Sequence, residues 1–440
     1  MMLFDRYGKL KKQAPGTVVH SGSKQLLPLL SGTLRKEDLP ELVVEPSNGS
    51  ELQTVLRFAS EKEMRVAVSS GQSPTTVRDL EGAMLILTHR LTGPSQWASD
   101  GAGLIVHSAT PLEHVAVELA QRGMTWPPLF PLEPGETMGT LFARALEGMR
   151  CHRSGGVLSN IRRVEWVGYD GERYATGPGV LGDGVDVAPL LFGAGARCGI
   201  LTRFELALEP VPESRTMLLC ECASVDELSQ LQRGWRYAAP LPSALPFWTS
   251  IATNALRQGN DNLVSEQAHS LLACEWNGAI DVELSDDQPI RRVEGNTDVE
   301  QLWQNLFRLP RTLARLFPHR SQGRYRLPAE ALCDFDERVQ ELARDRSVSA
   351  AVWGTLDAGT VNVWVLHPDS EARTARRAAE LLDRLAEDAL NLNGCPVEVA
   401  HGMFDLSLYR NGLTQTCELA LINKCDPAGR YKPLRTNSLA

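Results

Sequence analysis

Apolar positions in the first half of the chain switch between strand-like runs and helical spacing. Leu42, Val43 and Val44 read as a short strand, residues 46–50 as a turn whose Ser50 can cap a helix, and Leu52, Val55, Leu56 and Ala59 as one helix face running to Glu63. Val66, Ala67 and Val68 form a second strand, the small polar stretch 69–76 a loop, and residues 84–87 a third strand. The chain therefore opens as β-α-β-loop-β. Leu104, Ile105 and Val106 give another strand, and Leu112, Val115, Ala116 and Leu119 line a helix that closes at Gly123. The proline-rich stretch 126–135 cannot be regular, so it is expected as a constrained loop leading into a helix over 137–148. Residues 164–167 and 173–175 flank Asp170-Gly171 as a hairpin. After the Gly-rich stretch 177–184 come a short helix, the small-residue run 193–199 and a strand over 200–208 that ends before Pro210.

Beyond Glu213 the texture changes. Strands are expected at 216–222, 270–275, 279–284, 324–327 and 352–366, helices at 225–232, 328–345 and 370–391, and an acidic loop at 285–299. The alternation of strands with helices suits an α+β domain of about two hundred residues. The boundaries drawn are 1–38 for an N-terminal extension, 39–212 for a first domain, 213–410 for a second and 411–440 for a C-terminal return.

Composition narrows the possibilities. At 440 residues the chain has room for two or three domains. With 45 Lys+Arg against 54 Asp+Glu its net charge is -9, which excludes a dedicated nucleic-acid binder, because phosphate demands a basic footprint. No apolar run reaches the roughly 18 residues of a membrane span, and residues 1–30 lack the core and cleavage site of a signal peptide. A cytoplasmic location is expected. The nine cysteines are scattered without a CxxC pair, which fits a reducing compartment and points away from iron-sulfur or zinc ligation within this chain. Cys220 and Cys222 read as core packing, and Trp126, Trp166, Trp353 and Trp364 as core or interface anchors.

Several Gly/Ser/Thr-rich loops sit at element ends of the first domain, the usual way to present backbone N–H groups to an anionic cofactor. There is no GxGxxG opening a helix and no Walker lysine loop, so another dinucleotide scaffold is required. The loops in order are Ser69-Ser70-Gly71-Gln72-Ser73, Pro134-Gly135-Glu136-Thr137-Met138-Gly139, Gly155-Gly156-Val157-Leu158-Ser159-Asn160-Ile161, and Gly193-Ala194-Gly195-Ala196-Arg197-Cys198-Gly199-Ile200. Together with the terminal Asp426-Pro427-Ala428-Gly429, they resemble the PCMH-type FAD-binding domain of the vanillyl-alcohol oxidase and p-cresol methylhydroxylase superfamily. The similarity is greatest to the FAD-binding second subunit of glycolate or D-lactate oxidase complexes. Thr140, Ser159 and Ala196 stand where that family carries glycine, aspartate and glycine.

The resemblance implies an α+β fold, in which a flavin domain of two α/β subdomains (39–212) is joined to an antiparallel cap or substrate domain (213–410), with residues 411–440 returning to the first. It implies non-covalent FAD, held by Ser69, Ser70, Gly71, Gln72, Ser73, Pro134, Gly135, Thr137, Met138, Gly139, Ser159, Asn160, Ile161, Gly193, Cys198, Gly199 and Ile200. The diphosphate would lie on the first two loops and the adenine near Gly199 and Ile200, with the ring facing the second domain. It also implies oxidation of a small 2-hydroxyacid, another flavoprotein subunit and an iron-sulfur subunit as partners, and membrane association only through them. Metal-containing members carry histidine and glutamate ligands where Thr355, Asn362 and Ala400 stand here, so no metal site is expected. Catalytic candidates are His401 and Arg324. His401 without those partners reads more naturally as a loop or core histidine. The run Arg308, Arg311, Arg315, Arg320, Arg324 and Arg326 offers either a carboxylate clamp or a solvated face. The competing reading is a non-catalytic, flavin-free structural or electron-relay subunit that kept the fold.

Overall fold

A computed structural model describes residues 7–30, 39–70, 80–128, 136–178, 184–260, 263–280, 290–356, 358–367, 371–399, 402–403 and 412–432. The first lobe has two sheets. One is ordered β1-β2-β4-β3, from β1 (Val18–Ser21), β2 (Leu42–Glu45), β3 (Arg65–Ser69) and β4 (Ala83–Leu87), with the last three parallel and β1 antiparallel at the edge. The buried runs of β2 and β4 are what a parallel strand covered on both faces requires. The helix Gly49–Glu61 packs Leu52, Val55 and Leu56 onto it. Its cap is Asn48, two residues before the expected Ser50, with the Asn48 side chain accepting from the N–H groups of Ser50 and Glu51.

The second sheet is antiparallel, built from β5 (Gln96–Trp97), β6 (Gly103–His107), β8 (Ile161–Val167), β9 (Arg173–Thr176) and β10 (Ile200–Ala207) in the order β5-β6-β10-β8-β9. A separate small ladder pairs β7 (Met124–Thr125) with β11 (Glu209–Pro210). The helix expected over 137–148 is only Met138–Ala143. The Ala143 carbonyl accepts from Gly195 instead of continuing the helix, and Ala145 turns left-handed at φ 50.

The second lobe is one nine-stranded sheet: β12 (Arg215–Cys222), β13 (Pro246–Trp248), β14 (Ser270–Asn277), β15 (Ile290–Glu294), β16 (His319–Arg326), β17 (Ser349–Thr355), β18 (Thr360–His367), β19 (Cys395–Val399) and β20 (Gly402–Met403). Their order is β15-β12-β14-β13-β17-β18-β16-β19-β20, and the pairings are antiparallel throughout. The helices Leu332–Asp345 and Ala372–Asn391 cover one face, and Ser250–Gly259, Asn296–Leu306 and Leu309–Leu316 the other. Cys220 and Cys222 both pack in the first of these cores, where burial raises their thiol pKa, that of Cys222 to about 12. The expected acidic loop 285–299 contains β15 and the start of a helix, and the expected strand 279–284 lies largely outside the described residues. The fold is α+β, as the resemblance implies.

Candidate functional site

The described ends of the first two loops are linked along the seam between the first-lobe sheets. Thr88 N–H donates to Ser69 O at the end of β3, Leu91 N–H to Thr88 O, and Ala109 N–H to Leu91 O. Met138 N–H then reaches Thr110 O and Gly139 N–H reaches Ser108 O. Backbone hydrogen bonds thus run continuously from the base of the first loop to the start of the helix Met138–Ala143. A Cβ on Gly139 would stand 2.9 Å from Ser108 O, so the contact needs glycine for its closeness. The fourth loop joins the same helix from the other side, through Gly193 N–H to Phe142 O and Gly195 N–H to Ala143 O.

The glycines of the second and fourth loops at this helix are not free donors. Gly139, Gly193 and Gly195 spend their N–H groups on the helix and its neighbours, and Gly199 on Ala196 O. They supply close backbone approach. Gly199 adopts φ +123 against Val167 O, and Tyr169 donates to Ala196 O while stacking on Tyr431 from the C-terminal return. Met138, Ile161, Cys198 and Ile200 bury their side chains in the cores. Thr137 caps the helix by accepting from Thr140 N–H, an additional use for the hydroxyl beside Thr140. The third loop stands further off: Asn160 turns inward, donating to the carbonyls of Ser154, Gly155 and Gly156, and leaves Ser159 exposed. Ser70 is exposed at the mouth of the seam, whereas Gly71, Gln72, Ser73, Pro134 and Gly135 lie outside the described residues.

Two polar atoms in the seam are buried without a hydrogen-bond partner, Thr110 Oγ1 and His89 Nδ1. The second nitrogen of His89 faces Glu45 at 3.4 Å, yet burial holds its pKa below the ordinary imidazole value of 6.5. Unsatisfied buried groups are costly, and a bound ligand is one way to satisfy them.

Between the lobes lies a cavity of about 220 Å³. Its floor is the segment that follows the truncated helix, with Arg144 and Glu147. Its roof is the cap sheet, with Arg324 and Glu398, Asn362, and the edge-to-face pair Trp353 and Trp364. Glu398 takes 2.9 Å and 3.1 Å contacts from Arg144 and Arg324, and the Arg324 guanidinium also donates to Arg144 O. Arg326 faces Glu147 at 3.3 Å, and Glu147 in turn accepts from Val157 N–H. Burial pushes Arg324 down to about 10, partly offset by Glu398. Of the arginine run, then, Arg324 enters the junction buried while Arg326 stays exposed. Arg144, Glu147 and Glu398 escaped sequence reasoning. For Arg144 and Glu147 the available signal was charge in an otherwise small or apolar stretch just after a glycine loop. His401 and Ala400 lie outside the described residues. Thr355 is buried and Asn362 donates to Trp353 O, and among the described residues no cluster of three or more acidic, histidine or cysteine side chains forms a metal site.

Residues 40–177 match the family model described as "FAD binding domain". D-2-hydroxyglutarate dehydrogenase of Xanthomonas citri pv. viticola is 25% identical over 394 residues, 83% of this chain and 81% of that protein. Glycolate oxidase subunit GlcD of Bacillus subtilis is 19% identical over 403 residues, 86% of this chain and 85% of the other. Among solved structures, 4-ethylphenol oxidase from Gulosibacter chungangensis superposes with a TM-score of 0.69 at 11% identity, over 96% of this chain and 95% of that one. The cofactor is FAD. The residues present fit it: the seam carries orphaned polar atoms at Thr110 and His89 and backbone made close by glycine, and it runs alongside a cavity facing the second lobe.

Proposed function

We propose that this chain, an FAD-binding oxidoreductase whose residues 40–177 match the FAD binding domain and whose fold is similar to that of 4-ethylphenol oxidase, oxidises a small 2-hydroxyacid in the cavity between its lobes. The observation that carries this reading is Arg324. It is a buried guanidinium on the cap sheet, lines that cavity, and already holds a carboxylate, that of Glu398. A planar guanidinium suits a carboxylate head in two-point contact. When bound, FAD supplies an acceptor for the hydride on the α-carbon, so that the hydroxyacid leaves as an oxoacid. An incoming carboxylate takes the place of Glu398 on Arg324. Glu398, still held by Arg144, is then the carboxylate at hand for the hydroxyl proton. Trp353 and Trp364 supply an apolar edge-to-face pair on the wall of the cavity.

The two relatives, a D-2-hydroxyglutarate dehydrogenase and a glycolate oxidase subunit, support a hydroxyacid over a phenol as substrate. The second of them is an oxidase subunit, and we propose for this chain too a multi-subunit oxidase, with another flavoprotein subunit and an iron-sulfur partner to take the electrons. Among the described residues no helix is long and apolar enough to cross a membrane. A second reading, an electron-relay subunit without its own substrate, is favoured by one feature: Arg144, Glu398 and Arg324 reach across the space between the lobes and pair there.

Anaerobic mixing of the flavin-loaded protein with glycolate, D-lactate or D-2-hydroxyglutarate separates the two. At least one should bleach the absorbance near ~450 nm. Arg324→Gln should keep its flavin and raise the concentration for half-maximal reduction about a hundredfold. Bound flavin that none of the three reduces gives the site to the relay.

A further inference from the structure

A second and larger cavity, of about 570 Å³, lies between the lobes behind the first. The two share a wall. Met149 lines the smaller cavity and Arg150 the larger, and Pro310 and Arg311 divide in the same way. One side of the larger cavity is apolar, formed by Val115, Ala116 and Leu119 of the helix Leu112–Ala120 with Trp126 and Phe307. The other carries guanidinium groups. Arg150 and Arg215 are both more than nine-tenths buried and share a single buried carboxylate, Glu275.

The Glu275 oxygens are already committed: Arg150 Nε bonds both at 2.9 Å, and the Trp303 indole N–H donates to Oε2. Arg215 stands 3.5 Å away, and neither its Nε nor Arg150 Nη2 has a hydrogen-bond partner. Glu300 is 3.8 Å from Arg150 on a 41% exposed side chain, where water screens it. Two buried cations thus face one buried anion and one partly exposed one, so their charge is only partly compensated in this wall, and Arg308 adds to it at the rim. The volume falls in the usual range for sites that hold small organic ligands.

We propose that this cavity binds an amphipathic monocarboxylate, its head between Arg150 and Arg215 and its apolar tail along the helix Leu112–Ala120. The site is separate from the flavin cavity and does not depend on the chemistry proposed there. A carboxylate head can accept from the two unpartnered guanidinium nitrogens, Arg215 Nε and Arg150 Nη2, and its tail replaces water on the apolar side.

Decanoate is a suitable probe, titrated into the flavin-loaded protein by calorimetry and by tryptophan fluorescence, since Trp126 lines the cavity and Trp303 touches Glu275. Saturable binding is expected with a Kd below ~1 mM. Arg215→Met should weaken decanoate about tenfold or more while leaving decanol unchanged, and Glu275 keeps Arg150 and Trp303 in that variant. Ala116→Phe fills the tail side without touching a charge and should abolish binding of both, whereas Arg324→Gln should alter neither. Absence of saturable binding, equal loss of decanol and decanoate in Arg215→Met, or unchanged decanoate affinity in Ala116→Phe would each overturn the proposal.

Discussion

Glu275 has no exposed surface and is the centre on which Arg150, Arg215 and Trp303 converge. Replacing it with Gln would leave two buried guanidiniums without a counter-ion. We expect Glu275→Gln to cost about 3–5 kcal/mol in urea unfolding. Asp336 behaves oppositely. It is buried, it accepts from Thr249, and burial raises its pKa above 3.8. A carboxyl with a folded value above its unfolded one stabilises fully below the unfolded value and loses that contribution as pH rises through the folded one. Asp336→Asn should therefore gain about 1 kcal/mol over the wild type near pH 7 and nothing near pH 3, read from unfolding curves at both. Gly139→Val places a branched side chain against Ser108 O, so the variant should emerge with under about half the wild-type flavin.

At the scale of elements, what the sequence revealed followed burial. Strands β2, β3, β4, β6 and β10 were legible because continuous or alternating apolar residues must be covered on one face or both. Strand β15 was not, since Ile290–Glu294 is an edge strand whose Arg and Glu side chains face water and read as loop. Strand β13 has three residues and begins with Pro246, too short for any period, yet it sits in the middle of the nine-stranded sheet. The helix after the second loop read too long because its end is set by the fourth loop, some fifty residues on, which no local pattern encodes. The same reason hid part of the candidate site. Glycine stretches announced the seam, whereas Glu398 and Arg144 are 254 positions apart and meet only in the folded chain. Shortening the fourth loop by deleting Gly195 should free the Ala143 carbonyl and loosen the seam, seen as faster amide exchange over residues 138–145.

Across the whole molecule, the two lobes are stitched from several directions. Arg144 to Glu398 and Arg326 to Glu147 cross the junction at the smaller cavity, Arg150 to Glu275 crosses at the larger, and the C-terminal segment closes back onto the first sheet. There Val66 N–H donates to Arg430 O and Lys432 N–H to Val66 O, which extends the sheet beyond β3. Removing residues 426–440 strips both bonds and the Tyr431 ring from Tyr169. The truncated protein should lose its flavin at a lower temperature than the second lobe unfolds, visible as two separate transitions in place of one. The central claim is that the seam in the first lobe holds FAD without a covalent bond. Its most direct measurement is the flavin recovered after acid precipitation of protein reconstituted with excess FAD and then desalted. The account predicts one FAD per chain in the supernatant and a colourless pellet; flavin absent from both fractions, or retained in the pellet, would contradict it.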